Sequence, residues 1–434
     1  MERQVYEKLL AWKNDPDRKP LILRGARQVG KTWILKEFGK IEFFDMAYLN
    51  CDKNEAAKTL FQDDFDTQRL IRGISALTNV DIRPGKTLIF LDEIQEAPRA
   101  IQSLKYFCED ASEYYVCAAG SLLGLKLRGE ISYPVGKVDE ISMYPMNYEE
   151  FILAVEGEIA SHTIREASFE EISAMSGKWK ELLRQYYFTG GMPEVVKAYI
   201  DGKGLSKVRS IQKSILSNYD DDISKHTDDR TSIRIRQVWM SMAQQLAKEN
   251  KKFVYAHIQK GARAKEYETA IKWLIDAGLI YRIPRITKAS IPLKFYEEVE
   301  SFKLYYLDCG LMGALTEAPA EQILIGDNVF EEYKGAFTEQ YIMQQIITKH
   351  DNSLFYYHPD KSDQEVDFVT QNGNTVYAME VKAEENLRAK SLRLFKEDYP
   401  ESRAIRLSMS GYRVQDWMTN IPLCVACRVF EETK

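Results

Sequence analysis

The chain has 434 residues, 45% of them apolar and 29% charged, and a formal net charge of −6. At the usual ~100–200 residues per domain this is two to four domains with ample core, and the acidic balance confines any nucleic-acid contact to a local basic patch. No apolar run reaches the ~18–20 residues that span a bilayer, and the charged start MERQVYEKLLAWKNDPDRKP lacks a signal-peptide core, so the expectation is a cytoplasmic protein with no membrane partner.

Residues 1–150 alternate strand and helix patterns. LILRG (Leu21–Gly25) is a short apolar run entering a glycine-containing turn, and a helix follows from Lys31 to Phe38. FFDMAYLN, TLIFLDE (Thr87–Glu93) and YYVCAAGS (Tyr114–Ser121) are further strand candidates. Strands of this kind, buried on both faces and joined by helices, imply a parallel sheet with right-handed crossovers. Residues 151–228 are helical in pattern. Residues 229–320 give helices, then AGLI, then the strand-like pieces LKFYEE and FKLYYLD, the pattern of a winged helix. Residues 328–434 give a long amphipathic helix, strands joined by an NGN turn, another helix and closing strands, and read as an independent α/β unit. Of the six cysteines, Cys424 and Cys427 form a lone CxxC without a second pair or a nearby histidine; IPLCVACRVF reads as a buried strand carrying inert thiols.

The most specific signal is Gly25-Ala26-Arg27-Gln28-Val29-Gly30-Lys31-Thr32, a full GxxxxGK[ST] with a strand before it and a helix after it. Such a loop wraps phosphate oxygens with backbone N–H groups, which needs glycine at the tight points. The helix that follows offers its positive end. Lys31 is the residue expected to reach the β/γ-phosphates, and the Thr32 hydroxyl the one to ligate Mg²⁺. Downstream, Asp92 ends a buried strand where it can hold the magnesium shell, and Glu93 is placed to polarise an attacking water. These residues predict binding of ATP or GTP. Ser121 ends the next strand, as a sensor of the γ-phosphate or as a helix N-cap.

Between Lys225 and Leu315 there are 16 Lys or Arg against 10 Asp or Glu, a local excess suited to DNA. Lys260, Arg263, Lys265 and Lys272 make up the candidate face. Tyr267 and Trp273 fall at helical spacing and read as core. Winged helices also serve as protein-contact modules, so the partner stays open.

In the last segment Glu365-Val-Asp367-Phe and Glu380-Val-Lys382 lie on two strand candidates joined by the NGN turn Asn372–Asn374. Period-two alternation puts Glu380 and Lys382 on one face, with Asp367 across the ladder and Glu339 on the preceding helix. Carboxylates in this number suit one or two Mg²⁺ ions, with a lysine orienting water or steadying a charged phosphorane. Asp367 and Glu380 are the expected metal ligands. The alternative is an ordinary charged hairpin. The set resembles the PD-(D/E)xK pattern of restriction-endonuclease-like nucleases.

Read together, LILRGARQVGKT, LIFLDEIQEAPRAIQSLKYF, AAGSLLG, YPVGKVDEISMYPMNYEEF, YYFTGGMPEVVKAYI, DDISKH, KLYYLDCGLMGAL, GAFTEQYI and EVDF…MEVK resemble a large prokaryotic family of AAA-type ATPases over nearly the whole chain. The resemblance implies a P-loop α/β ATPase core (1–150), a helical lid (151–228), a winged helix (229–320) and a nuclease-like α/β domain (328–434). Tyr187–Glu194, with Gly190, Gly191 and Pro193, would fall in the lid as a tight turn against nucleotide, the next domain, or nothing in particular. Lys137 stands where many members carry Arg, so an arginine finger stays open between Arg128, Lys137 and neither. The function implied is a Mg²⁺-dependent ATPase coupling its nucleotide state to the C-terminal domain, with DNA, a protein partner or a second copy as partners. The alternative is a nucleotide-regulated switch that binds without cutting. A ring motor would need oligomers and a finger acting in trans.

Overall fold

The structure, a computed structural model, describes residues 2–121, 133–248, 252–325, 331–360, 362, 364–383 and 389–431. The chain divides into two compact units: Met1–Tyr144 with Asp276–Gly278, and Pro145–Ile275 with Leu279–Lys434.

In the first unit five strands form one parallel sheet: β1 (Leu21–Gly25), β2 (Asp45–Asn50), β3 (Thr87–Asp92), β4 (Tyr115–Ser121) and β5 (Asp139–Ser142), in the order β2-β3-β4-β1-β5. The helices are α1 (Val5–Asn14), α2 (Lys31–Glu42), α3 (Glu55–Leu60), α4 (Thr67–Thr78) and α5 (Pro98–Asp110). β3 is buried along its whole length, as a strand covered on both faces must be. Ile22, Leu49, Ile89 and Leu91 from the sheet pack with Leu70 and Ile74 of α4 and Leu104 and Phe107 of α5, each contributing roughly 1.5–3 kcal/mol. The strand order has a consequence for the site. β4 is inserted between β3 and β1, with Ser121 in register with Gly25 and Ala118 with Leu91. The carboxyl ends of β1, β4 and β3 therefore stand side by side, where ligands bind in open α/β sheets.

In the second unit eight strands form a mixed sheet, in the order β12-β13-β11-β10-β9-β8-β6-β7. They are β6 (Ile280–Ile286), β7 (Glu297–Tyr306), β8 (Leu354–Tyr357), β9 (Val366–Asn372), β10 (Thr375–Lys382), β11 (Arg403–Ser408), β12 (Arg413–Val414) and β13 (Thr419–Pro422). The helices run α6 (Tyr148–Glu156), α7 (Glu158–Glu166), α8 (Phe169–Ala174), α9 (Ser176–Thr189), α10 (Pro193–Ile200), α11 (Leu205–His226), α12 (Asp229–Leu246), α13 (Ala264–Asp276), α14 (Cys309–Leu315), α15 (Ala320–Ile325), α16 (Glu331–Lys349) and α17 (Lys390–Asp398). The β6–β7 ribbon follows α13, but it is not a free-standing wing. β6 pairs in parallel with β8 through Arg285↔Tyr356 and Ile286↔Tyr357, which satisfies an edge that would otherwise stand open. One sheet thus crosses the boundary expected between residues 320 and 328. β9 and β10 are an antiparallel hairpin whose Thr375↔Asn372 pair leaves Gly373, at φ 58°, and Asn374 as the turn. Cys424 and Cys427 are buried, but they lie in the 3-10 segment Leu423–Arg428 after β13 rather than on a strand. Cys427 donates its thiol to Glu149 Oε1 at 3.0 Å, and burial pushes both thiols up, Cys424 to about 12.

The turn at Gly190–Gly191 packs against a carboxylate. Asp308 has no exposed surface, and burial pushes its carboxyl up. Its Oδ2 accepts from Gly191 N at 2.6 Å and Gln344 Nε2 at 3.2 Å, and its Oδ1 from Leu311 N at 3.0 Å. A Cβ on Gly190 would lie 2.0 Å from Asp308 Oδ1, one on Gly191 1.9 Å from Met146 O, and one on Gly310 2.3 Å from Thr189 O. Gly190 also sits at φ 68°. Gly190→Ala should therefore cost about 2–4 kcal/mol, from overpacking plus backbone strain. Gly202→Ala, at φ 65° with nothing within 4 Å of the added Cβ, should cost only the strain, about 1–2 kcal/mol. Urea midpoints of the two variants check this; equal losses would refute the packing role.

Candidate functional site

The phosphate-loop sequence folds as a strand, a tight loop and a helix. Gly25 closes β1, where a Cβ would come within 2.2 Å of Met143 O, so the position tolerates only glycine. The loop reverses hand twice, with Gln28 at φ 66° and Gly30 at φ 99°, a conformation that turns successive N–H groups toward one concavity. Gly30 caps α2, which starts at Lys31. Ala26 and Val29 are buried, and Arg27 and Gln28 are exposed. Lys31 folds back on its own loop, donating to Gly25 O at 3.0 Å and Ala26 O at 2.8 Å. Burial lowers its ammonium to about 8, against the pull of the Glu93 and Asp92 carboxylates.

Asp92 ends β3 and is 3% exposed. Thr32 Oγ1 donates to its Oδ1 at 3.1 Å, and the Tyr48 hydroxyl to its Oδ2 at 2.9 Å. Burial raises the Asp92 carboxyl, while the Tyr48 and Thr32 hydrogen bonds oppose the rise. A hydroxyl and a carboxylate oxygen in contact form a donor set that suits Mg²⁺. Glu93 follows in a left-handed conformation, φ 49°, which swings its side chain out of the strand direction. Its Oε2 accepts from Gln95 Nε2 at 2.5 Å. Ser121 ends β4 beside Gly25. Lys137 is ion-paired with Glu109 at 2.9 Å, so that cation is held away as part of a surface pair. Arg128 lies outside the described residues.

The motif does not name Tyr48. It lies on β2, with Asn50 Nδ2 donating to its hydroxyl at 3.3 Å and the Lys36 ammonium 3.8 Å over its ring. The signal for it is the alternation of FFDMAYLN, which places Tyr48 and Asn50 on one face.

The second charged set is in the second unit. The register that pairs Met379 with Phe368 brings Glu380 opposite Asp367 one residue further on, on one face. Asp367 Oδ2 accepts Val381 N–H at 2.8 Å. Glu380 is 7% exposed; its Oε1 pairs with Lys382 Nζ at 2.7 Å, and its buried Oε2 has no hydrogen-bond partner among the described residues. Burial works against the Lys382 ammonium, but the carboxylates of Glu380, Asp367 and Glu339 outweigh it and raise its pKa. The structure thus gathers all four expected residues. It also adds three that the motif does not contain. Lys303 on β7 is fully buried, 2.6 Å from Glu365 and 4.9 Å from the Tyr356 ring centroid. Burial opposes its charge, and the carboxylates of Glu365, Glu339 and Asp367 reverse that. Tyr305, two residues on, donates to Glu339 Oε2 at 3.1 Å. Among the described residues no three His, Cys, Asp or Glu side chains form a group able to hold a metal. Asp367 and Glu380 stand opposite each other in the register of the hairpin, and Glu339 accepts the Tyr305 hydroxyl through Oε2.

Of the other expected positions, Lys260, Arg263, Lys265 and Lys272 are exposed. Tyr267 and Trp273 are buried. No helix among the described residues is long and apolar enough to cross a membrane.

The parallel sheet carries a phosphate loop after β1 and an acidic pair at the end of β3, the arrangement of a P-loop ATPase, and residues 17–152 match the family model described as AAA domain. Residues 180–322 and 334–426 match two domains of unknown function, DUF8612 and DUF4143. No curated protein matches the chain. Among solved structures, the Walker-type ATPase PABY2304 of Pyrococcus abyssi aligns with a TM-score of 0.44 at 13% identity, over 73% of this chain and 95% of that one. The Orc1 protein of Aeropyrum pernix, in complex with DNA, aligns with a TM-score of 0.27 at 12% identity, over 75% and 95%. Cdc6p from Pyrobaculum aerophilum aligns with a TM-score of 0.27 at 11% identity, over 75% and 96%.

Tyr48→Phe removes one of the two hydroxyls that hold the Asp92 carboxylate. A hydrogen bond to a charged group is worth about 1.5–3 kcal/mol, so kcat/KM for Mg²⁺·ATP should fall about ten-fold or more. Steady-state kinetics over a magnesium titration check this; wild-type values would remove Tyr48 from the site.

Proposed function

We propose that the first unit binds and hydrolyses Mg²⁺·ATP and that its nucleotide state governs the second unit. The observation that carries this is the contact of Thr32 with Asp92, with Glu93 immediately beyond. In this reading the loop N–H groups and Lys31 take the phosphates, exchanging Lys31's bonds to Gly25 and Ala26 for phosphate oxygens. Thr32 and Asp92 hold Mg²⁺, which supplies charge neutralisation on the phosphates. Glu93 orients and polarises the attacking water. Gln95 steadies its carboxylate from the far side. Ser121, beside Gly25, is the sensor of the terminal phosphate.

Lys31→Ala should abolish ATP binding. Glu93→Gln should leave binding within a few-fold and cut turnover by about 10²-fold or more, since a positioned base contributes typically 10²–10⁴. Calorimetry and phosphate release separate the two effects. Full turnover in Glu93→Gln would assign the base elsewhere.

For the second unit the two readings remain a Mg²⁺- or Mn²⁺-dependent nuclease at Asp367, Glu380 and Lys382, and a switch that binds DNA or protein without cutting. The unpartnered Glu380 Oε2 supports a cation there. The pairing of Glu380 with Lys382, of Glu339 with Tyr305 and of Glu365 with Lys303 supports a charge-compensated scaffold, and on balance the non-cleaving switch is favoured. DNA would meet the exposed Lys260, Arg263, Lys265 and Lys272. A cleavage assay on DNA and RNA with Mg²⁺ or Mn²⁺, with and without ATP, decides. The nuclease reading requires cutting that Asp367→Ala and Lys382→Ala each abolish, with metal binding lost only in the first. Binding without cutting, unchanged in both variants, establishes the switch.

A further inference from the structure

A buried cation outside the phosphate loop holds one of its carbonyls. Arg3 is 7% exposed. Its Nη1 donates to Val29 O at 2.9 Å and its Nη2 to Tyr144 O at 2.7 Å, just beyond the end of β5. The reach is fixed from the other side as well. α1 begins two residues later and is tied to the far end of α2, where Glu42 accepts from the Tyr6 hydroxyl at 2.9 Å and from Lys13 at 2.8 Å. Tyr6 also meets the Phe38 ring edge-on at 5.6 Å. A guanidinium has five donors in a planar fork and never loses its charge. Arg3 holds its two carbonyls with two separate nitrogens of one rigid plane, which fixes their relative direction in a way that a single rotatable ammonium does not.

The carbonyl that Arg3 holds belongs to the Val29–Gly30 peptide. In a trans peptide the C=O and the N–H point in opposite directions from one plane. Fixing Val29 O toward Arg3 therefore aims Gly30 N–H the other way. Gly30, at φ 99°, has no side chain to restrict that plane, so the peptide would otherwise be free to turn.

We propose that Arg3 is a positioning residue of the nucleotide site: by clamping Val29 O to the β5 exit at Tyr144, it pre-sets the Gly30 N–H toward the phosphates of bound ATP. The inference rests on the reading that the loop binds ATP. Arg3 acts through the Val29 and Tyr144 carbonyls, so its effect falls on binding. Arg3→Ala in the full chain should weaken Mg²⁺·ATP about ten-fold, as expected for a lost hydrogen bond from a charged donor. KM should rise in step while kcat stays within about two-fold. Arg3→Lys should be intermediate, since it keeps the charge but replaces two rigidly spaced nitrogens with one freely rotating ammonium. Millimolar guanidinium should restore affinity to Arg3→Ala and not to Arg3→Lys, whose side chain fills the space. Should Arg3→Ala fail to fold, Arg3→Lys carries the same measurement.

Calorimetric Kd, kinetics and thermal melts are read together. Wild-type affinity in Arg3→Ala overturns the inference. So does a fall in kcat with KM unmoved, or weakened binding that guanidinium leaves untouched, because general loosening gives those outcomes. A wild-type protein that binds no ATP would instead overturn the reading on which the inference stands.

Discussion

A carboxylate taken out of water persists only where donors surround it, and Asp308 is the point at which the second unit meets that demand. Its oxygens take the N–H groups of Gly191 and Leu311 and the amide of Gln344. That requires three glycines without room for a Cβ. Once the turn is pinned, the neighbouring polar groups follow. Gln344 also donates to the Tyr186 hydroxyl, which donates to Met146 O, and Gln345 accepts from Tyr148 N. Helices α6, α9, α14 and α16 are thereby held by directional bonds in an otherwise apolar interior. Such a network is stabilising only when complete, and then it specifies one arrangement. The first unit applies the same rule at Asp92, with Tyr48 and Thr32 as donors, but leaves that carboxylate at the mouth of a site.

How much of this the sequence carried depended on separation along the chain. The phosphate loop was legible because its demands fall on eight consecutive residues, and β3 because a run of apolar β-formers ending in two acids admits few readings. Tyr48 and Arg3 were not, because each acts on a partner brought near only by the sheet: Tyr48 on Asp92, Arg3 on Val29. The hairpin β9–β10 was legible from its NGN turn. The parallel pairing of β6 with β8 was not, since no local signal links Arg285 to Tyr356 across some seventy residues. That pairing is also why the β6–β7 ribbon looked like a separate wing. IPLCVACRVF misled for a different reason: a short apolar run fits a buried strand and a buried turn equally well.

The charged set of the second unit shows the same limit. The motif named Glu339, Asp367, Glu380 and Lys382, and the fold gathers them. It also brings Lys303 and Tyr305 from β7, more than sixty residues before Asp367. An ion pair with one fully buried member, such as Lys303–Glu365, seldom stabilises a fold relative to apolar residues of the same volume, although removing one partner alone is costly. Four carboxylates with two ammonium groups leave a formal charge of −2 in a largely desolvated place. The chain meets part of that demand itself, through the hydroxyl of Tyr305 and the N–H of Val381, and leaves Glu380 Oε2 without a donor.

Lys31 shows why an internally satisfied site is compatible with ligand binding. Its ammonium bonds to the Gly25 and Ala26 carbonyls of its own loop. Burial lowers its pKa to about 8, so the protonated form is held with less advantage than in water. A phosphate is a stronger partner than a carbonyl, because its negative charge adds Coulomb attraction to the hydrogen bond. Exchange of two carbonyls for phosphate oxygens therefore releases an unfavourable condition rather than breaking a favourable one. The loop need not be built around the ligand: its path is set by the left-handed Gln28 and Gly30, and the Val29 carbonyl is held by Arg3. In the proposed binding step the rearrangement asked of the loop is therefore that of one long side chain.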